Sequence, residues 1–193
     1  MSFELVLNNI QKHILLDDLE KSYFVSQLQE EAVSKKRLLL EQGNLCRNIY
    51  FIRSGSLRVF YRSKDGKEST VMFGIADWWI TDMYCFVNKR PAMLSIEALE
   101  DSSVWKLDYC RLKKLYTEIP KLEKYFRILM QNAYCREQLR ALDNITFTAE
   151  ERYSRFVEKY PLISQKITQK DTASYLGITP EFLSSFKRKN QPS

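Results

Sequence analysis

A single histidine, His13, serves all 193 residues, and neither a nucleophile–base spacing nor a glycine-rich phosphate loop accompanies it. Acid–base and covalent catalysis rest on such groupings, so an enzyme is not expected. No apolar run approaches the about 20 residues that span a bilayer. The opening MSFELVLNNIQKHILL is broken by Glu4, Asn8, Asn9 and Lys12, which is not a signal peptide. A cytoplasmic protein with no membrane partner is therefore expected. Cys46, Cys85, Cys110 and Cys135 lack the close C-x-x-C-type pair of zinc and iron–sulfur sites. They read as free, mostly buried thiols, with no metal and no cofactor implied. His13, beside Ile10 and Ile14, reads as a packing residue. Internal repeats and low-complexity linkers are also missing.

What is present suffices for real cores: 45% hydrophobic and 13% aromatic residues. Residues 3–31 read as helix, with a break at Asp17-Asp18. Short strands then follow at Lys36–Leu40, Asn48–Arg53, Ser56–Arg62, Glu68–Phe73, Ser95–Glu100 and Ser103–Leu107. Turn residues separate them, among them Ser54-Gly55 and a two-residue Asp65-Gly66 hairpin. Many short strands in so little chain predict a roll or barrel, hence an α+β protein. Leu112 to about Asn144 reads as a long helix, restarted at Pro120. Leu115, Ile119, Leu122, Phe126, Leu129 and Ala133 form one stripe along it. That stripe is expected to be a homodimer seam, the alternative being a helix lying on its own roll. A capping box at Thr148–Glu151 opens a further helix to about Lys159.

The end of the chain, TQKDTASYLGITPEFLSSFKRK, carries the most specific pattern. Thr168 caps one short helix, Gly177 supplies its left-handed stop, and Thr179-Pro180 starts a second. Thr172, Ala173, Leu176, Ile178, Leu183 and Phe186 fit the wedge between two helices crossing at a wide angle. This is a helix-turn-helix pattern, whose second helix offers Glu181, Ser184, Ser185, Lys187, Arg188 and Lys189 to a DNA major groove. Thr168, Gln169 and Thr179, at helix N-termini, suit phosphate contacts. Charge agrees: residues 111–193 hold sixteen Lys and Arg against nine Asp and Glu, whereas residues 1–110 hold fourteen against fifteen. The formal +6 thus lies in the half that carries the motif, as phosphate binding requires.

A turn-rich roll around NIYFIRSGSLRVFYRSKDGKE, the segment ADWWITDMYCF, the strand pair SIEALEDSSVWKL and the terminal helix-turn-helix together resemble the Crp/Fnr family of bacterial transcription regulators. The WWITDMYCF and IEALEDS texture looks most like its Bacteroidetes-type branch. The resemblance implies a cyclic-nucleotide-binding-like β-roll (a double-stranded β-helix or jelly roll) over residues 1–111. A dimerisation helix over 112–144 and a DNA-binding domain over 145–193 complete it. It implies double-stranded DNA, a second copy of the chain and RNA polymerase as partners. Family members cradle a cyclic nucleotide with a Gly, a Glu and an Arg; the matching positions here read Ile80-Thr81-Asp82-Met83 and Pro91-Ala92-Met93-Leu94. Gly and Arg are missing, so cyclic AMP is not expected. Trp78, Trp79, Tyr84 and Phe86 are expected to fill the vacated space. A candidate effector pocket for another small molecule comprises Trp79, Asp82, Met83, Tyr84 and Arg90. In the second helix the family's guanine-reading Arg is Ser185, and no β-hairpin wing is expected after it. A sensor with weakened or lost DNA binding is the alternative function.

Overall fold

The computed structural model describes residues 2–189. The expectation of no wing concerns residues outside that span, and the basic run is described as far as Arg188. Two helices open the chain, α1 (Glu4–Gln11) and α2 (Asp18–Ser26). The break at Asp17-Asp18 is a reciprocal cap, in which the Asp17 carboxylate accepts from Glu20 N at 2.9 Å and Glu20 accepts from Asp17 N at 2.8 Å. Helix expected as far as residue 31 ends at Ser26. Gln29–Val33 is instead strand β1, paired antiparallel with Lys106–Ser102. Cross-strand pairing here overrides the helix propensity of Gln29-Glu30-Glu31-Ala32.

The remaining strands are β2 (Leu38–Leu40), β3 (Asn48–Ser54), β4 (Ser56–Arg62), β5 (Glu68–Ile75), β6 (Trp79–Ile80), β7 (Ser95–Ala98) and β8 (Ser102–Asp108), with α3 (Met83–Asn88) between β6 and β7. They form two four-stranded sheets, ordered β1-β8-β3-β6 and β2-β7-β4-β5. Six of these strands match the sequence expectation closely; β1 and β6 were not anticipated. The β4–β5 connection is also longer than the expected two-residue turn. Ladder pairing ends at Arg62↔Glu68, and Gly66 takes φ +83° while Asp65 does not reach positive φ. At Gly55, with φ +87°, a Cβ would lie 2.2 Å from Ser102 Oγ, so the β3–β4 corner admits no side chain.

Helices complete the chain: α4 (Tyr109–Glu118), α5 (Lys121–Thr146), α6 (Ala149–Lys159), α7 (Pro161–Lys166), α8 (Gln169–Leu176) and α9 (Pro180–Lys189). Pro120 stands at the N-cap of α5, and Thr148 and Glu151 cap α6 reciprocally. Tyr160-Pro161 ends α6 as expected, but Pro161 also opens α7, which the sequence reading missed.

One core fills the roll and extends into α1, α4 and the first half of α5, with Phe24, Phe51, Leu57, Leu115, Leu122 and Tyr125 fully buried. The stripe read as a dimer seam therefore faces its own roll: Leu115, Ile119, Leu122 and Phe126 are all buried. A different face of α5 is bare from Gln131 onward, and it carries Gln131, Cys135, Gln138, Leu142 and Ile145 at alternating three- and four-residue steps, with half-buried Ile128 in line before them. A second, smaller core joins Phe73 of β5 to Phe156, Ile163 and Leu176 of the terminal helices. The thiols divide evenly rather than being mostly buried: Cys46 and Cys85 are buried, Cys110 and Cys135 exposed.

Candidate nucleic-acid interface and roll cavity

The α8–α9 corner is built by local chemistry. Thr168 Oγ1 accepts from Asp171 N at 3.1 Å, closing the first turn of α8. Gly177, at φ +69°, ends it in the left-handed conformation, and Ile178 N reaches back to Ala173 O at 3.0 Å. Thr179 Oγ1 then accepts from Phe182 N at 3.2 Å to start α9. Ala173 of α8 and Leu183 of α9 are both fully buried. Gln169, Thr179, Glu181 and Arg188 face solvent from the two helix starts and the far end of α9, and Thr168 is exposed beside them.

Ser184, Ser185 and Lys187 are half-buried. Ser185 donates to Phe182 O at 2.9 Å, and the Lys187 ammonium lies 5.1 Å from the Tyr153 ring centre. The Thr168 hydroxyl is likewise engaged, donating to Asp171 at 2.7 Å. Lys170, exposed in the first turn of α8, was passed over in the sequence; its signal was a cation next to Gln169.

This corner is docked on the outer face of the roll. Arg58 of β4, 7% exposed, holds Asp171 of α8 at 3.0 Å together with Glu68 at 2.7 Å and Glu97 at 3.3 Å. Burial pulls the Arg58 guanidinium down, but Glu68, Glu97 and Asp171 outweigh it and the net shift is upward. Burial likewise pushes Glu68 up, yet hydrogen bonds from Arg62 and Arg58 hold it below the ordinary carboxylate value. Ser174 bridges the strand edge, accepting from Thr70 N at 2.8 Å and donating to Glu68 O at 2.9 Å. Arg140 of α5 donates to Val71 O and stacks 4.4 Å from Tyr175. Phe73 completes the contact, 5.3 Å from the ring of Tyr175 and 6.0 Å from that of Phe156.

On its inner side the roll leaves an apolar cavity of about 740 Å³ against α3, α4 and α5. Val59, Met72, Leu94, Phe126 and Met130 supply much of its wall. Of the expected pocket residues, Trp79 and Met83 line it. Tyr84 does not; it is 56% exposed, and the Arg90 guanidinium lies 6.0 Å from its ring. Of the four rings expected to fill the space, Trp79 and Phe86 wall it instead, Trp79 packing on Phe51 and Phe126 at 5.2 and 5.5 Å, while Tyr84 is exposed and Trp78 lies outside against Tyr160. Tyr116 also lines the cavity, and burial pushes its phenol up to about 12, so it stays neutral.

Asp82 has a different task from the one its position suggested. At 3% exposure it caps α3, accepting from Cys85 N at 3.2 Å, while its other oxygen accepts from Met93 N at 2.8 Å and Leu94 N at 3.0 Å. The N–H groups that an anionic ligand would need are thus already held by a carboxylate of the chain. A second buried relay went unread in the sequence. Trp79 Nε1 donates to Tyr125 Oη at 2.8 Å, Tyr125 donates to Asn9 at 2.5 Å, and Asn9 donates to the backbone carbonyl and to Oδ1 of Asp77, each at 2.9 Å. It fastens β6, α5 and α1 around Asp77, whose φ of +74° is rare for a residue with a side chain.

Residues 30–118 match the cyclic nucleotide-binding domain family. Regulatory protein HlyX of Actinobacillus pleuropneumoniae is 26% identical over 176 residues, covering 86% of this chain and 72% of that protein. The fumarate and nitrate reduction regulatory protein of Vibrio cholerae is 27% identical over 176 residues, covering 86% and 70%. Among solved structures, the c-di-GMP-responsive global regulator CLP of Xanthomonas campestris superposes with a TM-score of 0.75 at 12% identity, over 90% of this chain and 91% of that one. FixK2 of Bradyrhizobium japonicum gives 0.74 at 17% identity, over 84% and 83%. The roll that matches this domain family, the long helix behind it and the terminal helix pair make the chain similar to these regulators in sequence and in fold.

Proposed function

We propose that this chain is a cytoplasmic, non-enzymatic transcription regulator that binds double-stranded DNA as a homodimer, with RNA polymerase as a further partner. The observation that carries the reading is the α8–Gly177–α9 corner, which is capped at both helix starts and leaves Gln169, Glu181 and Arg188 to solvent. The regulators it resembles support it. Two α9 helices require two chains, and the bare heptad face of α5 is the surface suited to join them.

The roll in this reading does not respond to cyclic AMP. A phosphodiester entering beside Asp82 would meet a carboxylate that already occupies the local N–H donors, and the arginine that borders the cavity, Arg136 of α5, is held over the Trp78 ring at 4.9 Å. The cavity suits an uncharged, largely apolar effector, with Trp79 and Met83 as contacts. The WWITDMYCF and IEALEDS segments support the Bacteroidetes-type branch of these regulators. Selection of bound duplexes from a random library tests the central assignment. Enrichment of a two-fold symmetric site is expected, and an unenriched pool would reject it.

A second reading, a sensor with weakened DNA binding, has its own support. The Ser185 hydroxyl is turned to Phe182 O, and Ser184 is half-buried, so α9 offers few free donors to bases. Under that reading the full chain would leave random duplexes free even at low salt, where sequence-blind phosphate binding is strongest.

A further inference from the structure

We propose that the cleft between the second half of α5, α6 and the end of α8 is a binding site for a small phosphorylated compound carrying a flat ring, the chemistry of a mononucleotide. The cleft holds about 410 Å³, within the range of small-molecule sites, and Arg136 alone borders both it and the roll cavity. Five cations line it, Arg136, Arg140, Arg152, Arg155 and Lys159, against the carboxylates of Asp143 and Glu158.

What marks it off from an ordinary solvated basic face is how the guanidiniums are paired. Arg152 donates to two carbonyls, Phe147 O at 2.9 Å and Leu176 O at 3.1 Å, while its Nε is buried without a partner. Arg140 also turns to carbonyls, those of Val71, Thr70 and Tyr175; its nearest carboxylate, Glu137, is 3.6 Å away and shared with Arg136 at 3.8 Å. Arg155 meets Asp143 at 3.5 Å, and Lys159 has no carboxylate within 4 Å among the described residues. Carbonyl dipoles satisfy N–H groups but leave the charge, so a positive potential is focused in a concave, partly dry space.

The floor supplies the second half of the chemistry. Phe156, Tyr160 and Tyr175 pack there with ring centres 5.1 and 5.7 Å apart and planes tilted by 44° and 50°, an aromatic lining against which a planar group can lie. A ligand gripped at once by α5 and α6 would set the angle at Phe147-Thr148, where the roll's long helix hands over to the helix-turn-helix.

Calorimetric titration of the full chain at low salt, with AMP, adenosine and inorganic pyrophosphate as probes, decides the matter. AMP is expected to bind at least about tenfold more tightly than adenosine and to weaken as salt rises. The doubly substituted chain Arg155→Gln, Lys159→Gln should lose about tenfold or more in AMP affinity while its circular dichroism and melting curve stay unchanged. If that chain melts early, Lys159→Gln alone should still weaken binding. Met83→Trp, in the roll cavity, should leave AMP affinity as it was. The proposal is overturned if AMP gives no heat, if adenosine binds equally well, or if the charge-removed chains bind AMP normally. It is equally overturned if Met83→Trp abolishes binding, or if a short DNA duplex displaces AMP from the wild type, which would assign the cations to nucleic-acid phosphates.

Discussion

Asp82 and Arg58 are both buried polar groups, Asp82 satisfied within twelve residues of itself and Arg58 in part by a carboxylate far along the chain. Asp82 gathers three N–H donors from two segments. Asp82→Ala should lower stability by about 3 kcal/mol, read from chemical unfolding of the roll, because buried donors would be stranded. A change of less than 1 kcal/mol would remove its structural role. Arg58→Ala leaves three carboxylates facing one another and should cost roughly 3–5 kcal/mol, whereas Arg58→Met with Asp171→Asn should cost less. The sign of the acid response follows from Glu68 and Glu100. Lys166 holds Glu100 below its ordinary 4.5, and the arginines do the same for Glu68. Groups with depressed values stabilise the fold above 4.5 and lose that contribution as pH falls through their lower folded values. Proteolytic cutting near Phe147 should therefore rise below pH 4.5; protection unchanged on acidification would contradict the docking. The sequence marked Asp82 as notable but could not show which N–H groups it meets. The Arg58–Asp171 pair spans 113 positions, a separation at which no local pattern signals contact.

Among the elements, those set by local chemistry were legible in the sequence. Thr148, Thr168, Gly177 and Thr179-Pro180 mark helix ends by capping, which acts within a few residues, and all four end or begin helices in the structure. β1 was missed because Gln29–Val33 is helix-favouring and becomes strand only by pairing with β8; β6 escaped because Trp79–Ile80 is too short for a period. α5 concealed more. It has two apolar faces, and the stronger one, read as the seam, packs on the roll. On the other face, Leu142 and Ile145 are 53% and 84% exposed, with polar Gln131 and Gln138 between the apolar positions. A parallel pair of α5 helices would place Cys135 beside its counterpart. Mild oxidation should then cross-link the chain into dimers through Cys135, and Cys135→Ser should abolish this while Cys110→Ser does not. Leu142→Asp with Ile145→Asp should shift sedimentation from dimer to monomer without loss of helix; a dimer that survives both changes would place the interface elsewhere.

At the scale of the whole molecule, the β4–β5 hairpin lies between two compartments. Val59 and Met72 line the apolar cavity, while Arg58, Thr70 and Phe73 on the same strands hold α8 and α6. A ligand that moved one face of the hairpin would act on strands that also hold α8 and α6. The sequence announced both compartments but not their shared wall, which arises from alternation across a strand in register with distant helices. The duplex selection tests the central assignment most directly. The purified chain should enrich a two-fold symmetric sequence whose half-sites are centred about 10 base pairs apart, with affinity falling steeply as salt rises and lost in the Leu142→Asp, Ile145→Asp variant. An unenriched pool, with random duplexes left free by the wild type at low salt, would contradict it.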